Sequence, residues 1–82
     1  MPVFIGVHKM PGPVDEAQIH DGWAKYKEAA TRRGLRPIRV HFNAAKGTAY
    51  CETEAPSEAD VRDAHQEIAL PLEDVIEVQT LE

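Results

Sequence analysis

The chain opens on a short apolar, β-branched run, Val3 to Val7, whose alternation continues to His8 before Pro11-Gly12-Pro13 stops it. The hydrophobic period then changes from two to nearly four. Ile19, Trp23, Tyr26 and Ala30 recur at i, i+4, i+7 and i+11, one apolar stripe of a helix. Asp15 with Gln18 three residues on forms a capping box at its start. Arg32, Arg33 and Gly34 suit its C-terminal end. Two alternating runs follow, Pro37 to Asn43 and Thr48 to Thr53, around a turn at Ala44-Ala45-Lys46-Gly47. Ser57 and Asp60 open a second helix with a stripe of Val61, Ala64 and Ile68. It ends before Pro71, and Asp74 to Leu81 alternates as a last strand.

The order β-α-β-β-α-β over residues 1–82 predicts one α+β domain of ferredoxin-like topology, an antiparallel sheet with both helices on one face. With a four-residue turn, Asn43 pairs with Thr48, His41 with Tyr50 and Val40 with Cys51. Ile38, Val40 and Phe42 then share a face with Ala49, Cys51 and Thr53. Taking the most β-branched sets as core assigns Val3, Ile5, Val7, Ile76 and Val78 to the helix side as well. The open face then carries Phe4, His8, His41, Tyr50, Glu52, Val75 and Glu77. A surface so mixed calls for a cover, and the expected cover is the same face of a second copy, a homodimer through the sheet.

Composition narrows the function classes. With 82 residues, 43% hydrophobic and 28% charged, the chain has an ordinary globular make-up. No apolar run approaches a membrane span, so no membrane association is expected. Nine basic against 14 acidic residues leave a net charge of −5, which argues against nucleic-acid binding. The opening segment reads as a strand, not a signal peptide, and the single cysteine forms no internal disulfide; the expected compartment is the cytoplasm.

Four histidines are the compositional hint of chemistry. His8 and His41 end parallel strands at the same level, about 9–10 Å apart across the third. Leaning inward, they could share one divalent ion, with Glu52 two residues along adding a carboxylate. Such donors suit nickel, zinc or copper. The bland reading is two ordinary polar histidines on a half-exposed face. His20 with Glu16 one turn earlier reads as a solvated pair. His65 lies at the edge of the second helix's stripe, where a backbone hydrogen bond accounts for it unless a dimer or loop brings it a partner. Cys51 faces the helices as a core thiol, whereas a one-residue slip would place it with His8 and His41. Cys-x-x-Cys pairs, phosphate loops and His-Glu-x-x-His are absent.

Tyr50-Cys51, Glu54 to Arg62, Ala64-His65, Leu70 to Val78 and the opening Val7-His8-Lys9-Met10-Pro11-Gly12 together resemble a bacterial domain-of-unknown-function family of short ferredoxin-like proteins, near its actinobacterial nickel-binding, nickel-responsive member. The resemblance spans nearly the whole chain and marks Cys51 and His65 as landmarks. It implies a homodimer that binds Ni²⁺ for sequestration or detoxification without turnover. The expected metal ligands are His8 and His41, then Glu52, with Cys51 and His65 after them. The alternative is a small dimeric α/β-barrel enzyme, an isomerase or cofactor-free oxygenase, whose pocket is the open sheet face with His8, His41 and Tyr50 as acid/base groups. A third reading is a plain interaction module that uses the face only to dimerise.

Overall fold

A computed structural model describes residues 1–82. Six elements follow one another: β1 (Val3–Lys9), α1 (Glu16–Arg32), β2 (Arg36–Asn43), β3 (Thr48–Glu54), α2 (Glu58–Glu67) and β4 (Asp74–Val78). The strands form one sheet in the order β2-β3-β1-β4, each antiparallel to its neighbours. With both helices against the sheet, this is the ferredoxin-like fold.

The caps follow the local sequence. Asp15 accepts a hydrogen bond from the Ala17 N–H while Gln18 accepts from the Asp15 N–H, which closes the box at the start of α1. Ser57 accepts from the Asp60 N–H and donates its own hydroxyl to the Asp60 carboxylate. Both helices end in a Schellman arrangement. In α1 the Leu35 N–H reaches the Ala30 carbonyl past Gly34, and in α2 the Leu70 N–H reaches the His65 carbonyl. The second of these forces Ala69 to φ 54°, a left-handed conformation that costs an alanine about 1–2 kcal/mol.

The β2–β3 pairing is as the turn length predicts: Asn43 opposite Thr48, His41 opposite Tyr50, Val40 opposite Cys51. A bulge between Pro37 and Arg39 takes up one residue at the far end. In β1 and β4 the alternation has the opposite phase to that expected. Gly6 lies opposite both Cys51 and Val75, and Phe4 opposite Thr53. Residues directly opposite share a face. Phe4, Gly6, His8 and Val75 therefore look toward the helices, while Val3, Ile5, Val7, Ile76 and Val78 line the open side with His41, Tyr50 and Glu52.

Side-chain fit explains the reversal. The buried cluster of Phe4, Tyr26, Ala30, Leu35, Cys51, Ala55, Val61, Ala64 and Val75 takes its one large strand residue from Phe4. Gly6 leaves the room that Cys51 needs, because a Cβ there would lie 2.6 Å from Sγ. The β-branched residues of β1, Val3, Ile5 and Val7, all lie on the open face, so β-branched content did not set the phase.

Candidate metal centre

The reversal moves His8 from the open face into the interior. His8, Cys51 and His65 are all buried, and one donor atom from each lies within 4.8 Å of the others. Three elements deliver them: the end of β1, the middle of β3 and the last turn of α2. The site sits beneath α1, where Tyr26 stacks on the His65 ring at 4.1 Å and is tied to Thr53 through its hydroxyl at 2.5 Å.

The hydrogen bonds fix which imidazole nitrogen is free. His8 Nδ1–H donates to the Pro71 carbonyl at 2.8 Å, and His65 Nδ1–H donates to the Val61 carbonyl at 2.8 Å. A carbonyl only accepts, so each neutral ring carries its proton on Nδ1 and presents a lone pair on Nε2. Both Nε2 atoms face Cys51 Sγ, at 3.6 Å from His8 and 3.4 Å from His65. The single thiol proton serves one of them at a time. A histidine whose far nitrogen is anchored to a backbone carbonyl has the arrangement that orients imidazoles in metal sites.

The spacing suits an ion. With metal–sulfur and metal–nitrogen bonds of about 2.3 and 2.0–2.1 Å, sulfur and nitrogen lie about 3.6 Å apart at a tetrahedral angle and about 3.1 Å apart at a right angle. The two observed sulfur–nitrogen distances fall in that interval.

Burial sets the charge state. Desolvation lowers the pKa of His8 despite the Pro71 hydrogen bond, and lowers that of His65 to about 4, with the neighbouring His8 adding to the effect. The same desolvation raises the Cys51 thiol to about 11, against hydrogen bonds from the Gly6 and Cys51 backbone. The metal-free cluster is therefore neutral near pH 7: two unprotonated imidazole nitrogens and one thiol.

These residues line a cleft of about 480 Å³ that opens between α1, the Lys9–Pro11 segment and the Leu70–Glu73 segment. Gly47, at φ 66°, holds the rim. Its carbonyl accepts from the Met10 N–H, and a Cβ there would lie 2.2 Å from the Gly12 carbonyl oxygen.

The other two expected ligands are elsewhere. His41 Nε2 and the Glu52 carboxylate pair at 2.9 Å on the open face, with Arg39 at 4.0 Å from the same carboxylate. His41 does not lie beside His8: it points to one side of the sheet and His8 to the other. His20 and Glu16 form an exposed pair at 3.3 Å. Of the residues singled out from the sequence, the structure thus gathers His8, Cys51 and His65 and separates them from His41 and Glu52.

No curated protein matches the chain. Among solved structures, SCO4226 from Streptomyces coelicolor A3(2) superimposes with a TM-score of 0.87 at 21% identity, covering 98% of this chain and 99% of that one; it shares the fold. The nickel-responsive protein SCO4226-like family matches residues 4–78, from the first strand through the last and across all three donors. The chain belongs to the SCO4226-like family of nickel-responsive proteins.

Proposed function

We propose that this protein binds Ni²⁺ through His8 Nε2, Cys51 Sγ and His65 Nε2, and that it sequesters the ion without catalytic turnover. The observation that carries the reading is the pair of imidazoles anchored at Nδ1, both aiming Nε2 at one buried sulfur. Zinc and copper accept the same donors, and the family's nickel response favours nickel. The working unit is a cytoplasmic homodimer through the open face, where Ile76 and Tyr50 are exposed beside Val3, Ile5 and Val78.

Calorimetric titration with Ni²⁺ tests the site. One equivalent binds at micromolar or tighter affinity, Cys51→Ala and His65→Ala each abolish it, and His41→Ala/Glu52→Ala leaves it intact. Binding that survives Cys51→Ala and fails in the His41/Glu52 variant would place the ion on the open face instead.

A further inference from the structure

The metal reading uses one wall of the cleft and leaves the rest unexplained. Ile19, Gly22 and Trp23 of α1 line the same space as the donors, and Met10, Leu70 and Leu72 complete the apolar lining. At about 480 Å³ the space lies within the 300–1,000 Å³ range typical of small-ligand pockets. Gly22 is notable because it sits mid-helix, where glycine is disfavoured relative to alanine. No crowding demands it: a Cβ there would meet only Leu70 Cδ1, at an ordinary 3.8 Å. Its effect is to keep the cleft wide. Three protein donors also leave a four-coordinate ion one open position, and all three donors line this same space.

Resting on the metal reading above, we infer that the cleft is a binding site for a small molecule with an apolar body and one anionic donor head, a carboxylate or thiolate, which takes the open position on the ion. The charge balance selects the head. A divalent ion with one thiolate and two neutral imidazoles keeps a net positive charge in apolar surroundings, and a single anionic donor cancels it. The apolar walls select the body. Exposed Lys9, Gln18 and Glu73 at the rim keep the mouth polar.

The test uses Ni²⁺-loaded protein with benzoate and thiophenolate as probes, acetate as a head without a body, and benzyl alcohol as a body without an anionic head. The readouts are the thiolate-to-nickel charge-transfer absorption and calorimetry. At least one anionic aromatic probe shifts the absorption and binds about tenfold or more tighter than acetate and benzyl alcohol. Gly22→Leu, which fills the cleft, weakens that probe about tenfold or more while nickel affinity stays within about twofold of the parent. Gly22→Ala is the folding control and keeps most of the binding. If both aromatic probes match acetate, bind equally without nickel, or ignore Gly22→Leu, the inference falls and the metal site stands. If nickel gives no charge-transfer band that Cys51→Ala removes, the metal site falls and this inference with it.

Discussion

Nickel binding at this cluster should release one proton per ion, and that proton should come from sulfur. The perturbation is pH. Near neutrality both imidazoles are already unprotonated, because burial holds His65 at about 4 and lowers His8 as well. Cys51, raised to about 11, is still a thiol and must lose its proton to become a ligand. Apparent affinity therefore falls about tenfold for each pH unit between 8 and 6.5, about 30-fold in all. The curve shows no break near 6.5, where an exposed imidazole would add a second proton. The raised thiol has its own cost: moving from the ordinary 9.0 to about 11 weakens apparent affinity about 100-fold relative to an exposed thiol.

Calorimetry at pH 8 in two buffers of different ionisation enthalpy measures the proton count directly. The expected value is close to one. A site of imidazole and carboxylate alone would release almost none at that pH, where ordinary groups of both kinds are already deprotonated. A count near zero, or a break in affinity near pH 6.5, refutes the buried Cys51 site.

Metal-free protein should lose stability in mild acid. His65 is neutral in the fold, so below pH 6.5 the unfolded chain takes up a proton that the native state refuses; the contribution is full above that pH and is lost on the way down to about pH 4. The loss attributable to His65 is about 3 kcal/mol, and a urea midpoint unchanged from pH 7 to 4.5 would contradict it. Ala69→Gly relieves the left-handed alanine after α2 and should stabilise by about 1 kcal/mol, a rise of about 4–8 °C in Tm by calorimetry. Gly6→Ala sets a Cβ against Cys51 Sγ; it should cost about 1–3 kcal/mol in urea unfolding and weaken nickel binding as the sulfur is displaced.

The fold was legible because its signals are local. Caps at Asp15 and Ser57, the helical stripes and the β2–β3 turn each act within a few residues, and all appear as their sequence implies. Which face β1 presents is not a local property. It depends on long-range pairing of Gly6 with Cys51 and Val75, and a strand with Val3, Ile5 and Val7 on one side and Phe4 on the other satisfies an alternation rule in either phase. Gly6 itself was the usable signal. A lone glycine among β-branched residues marks where something must approach closely, and here the sulfur, His65 and Leu72 do so. His65 was hard to place for a related reason. Its Nδ1 does make the ordinary backbone bond, to Val61, and that bond is what frees Nε2 for other work.

The two faces of the sheet then suit different partners. On the open side His41, Glu52 and Arg39 make a solvated network in which an ion would compete with an existing cation for the carboxylate. The helix side offers one sulfur and two imidazole nitrogens, none paired with a charge and none an oxygen. Magnesium and calcium require oxygen ligands and gain little there, while ions that accept thiolate and imidazole gain much. Selectivity against the abundant hard cations thus follows from burying sulfur and nitrogen donors together. The same burial that raises the thiol pKa and weakens binding also keeps the site empty of the commonest competitors.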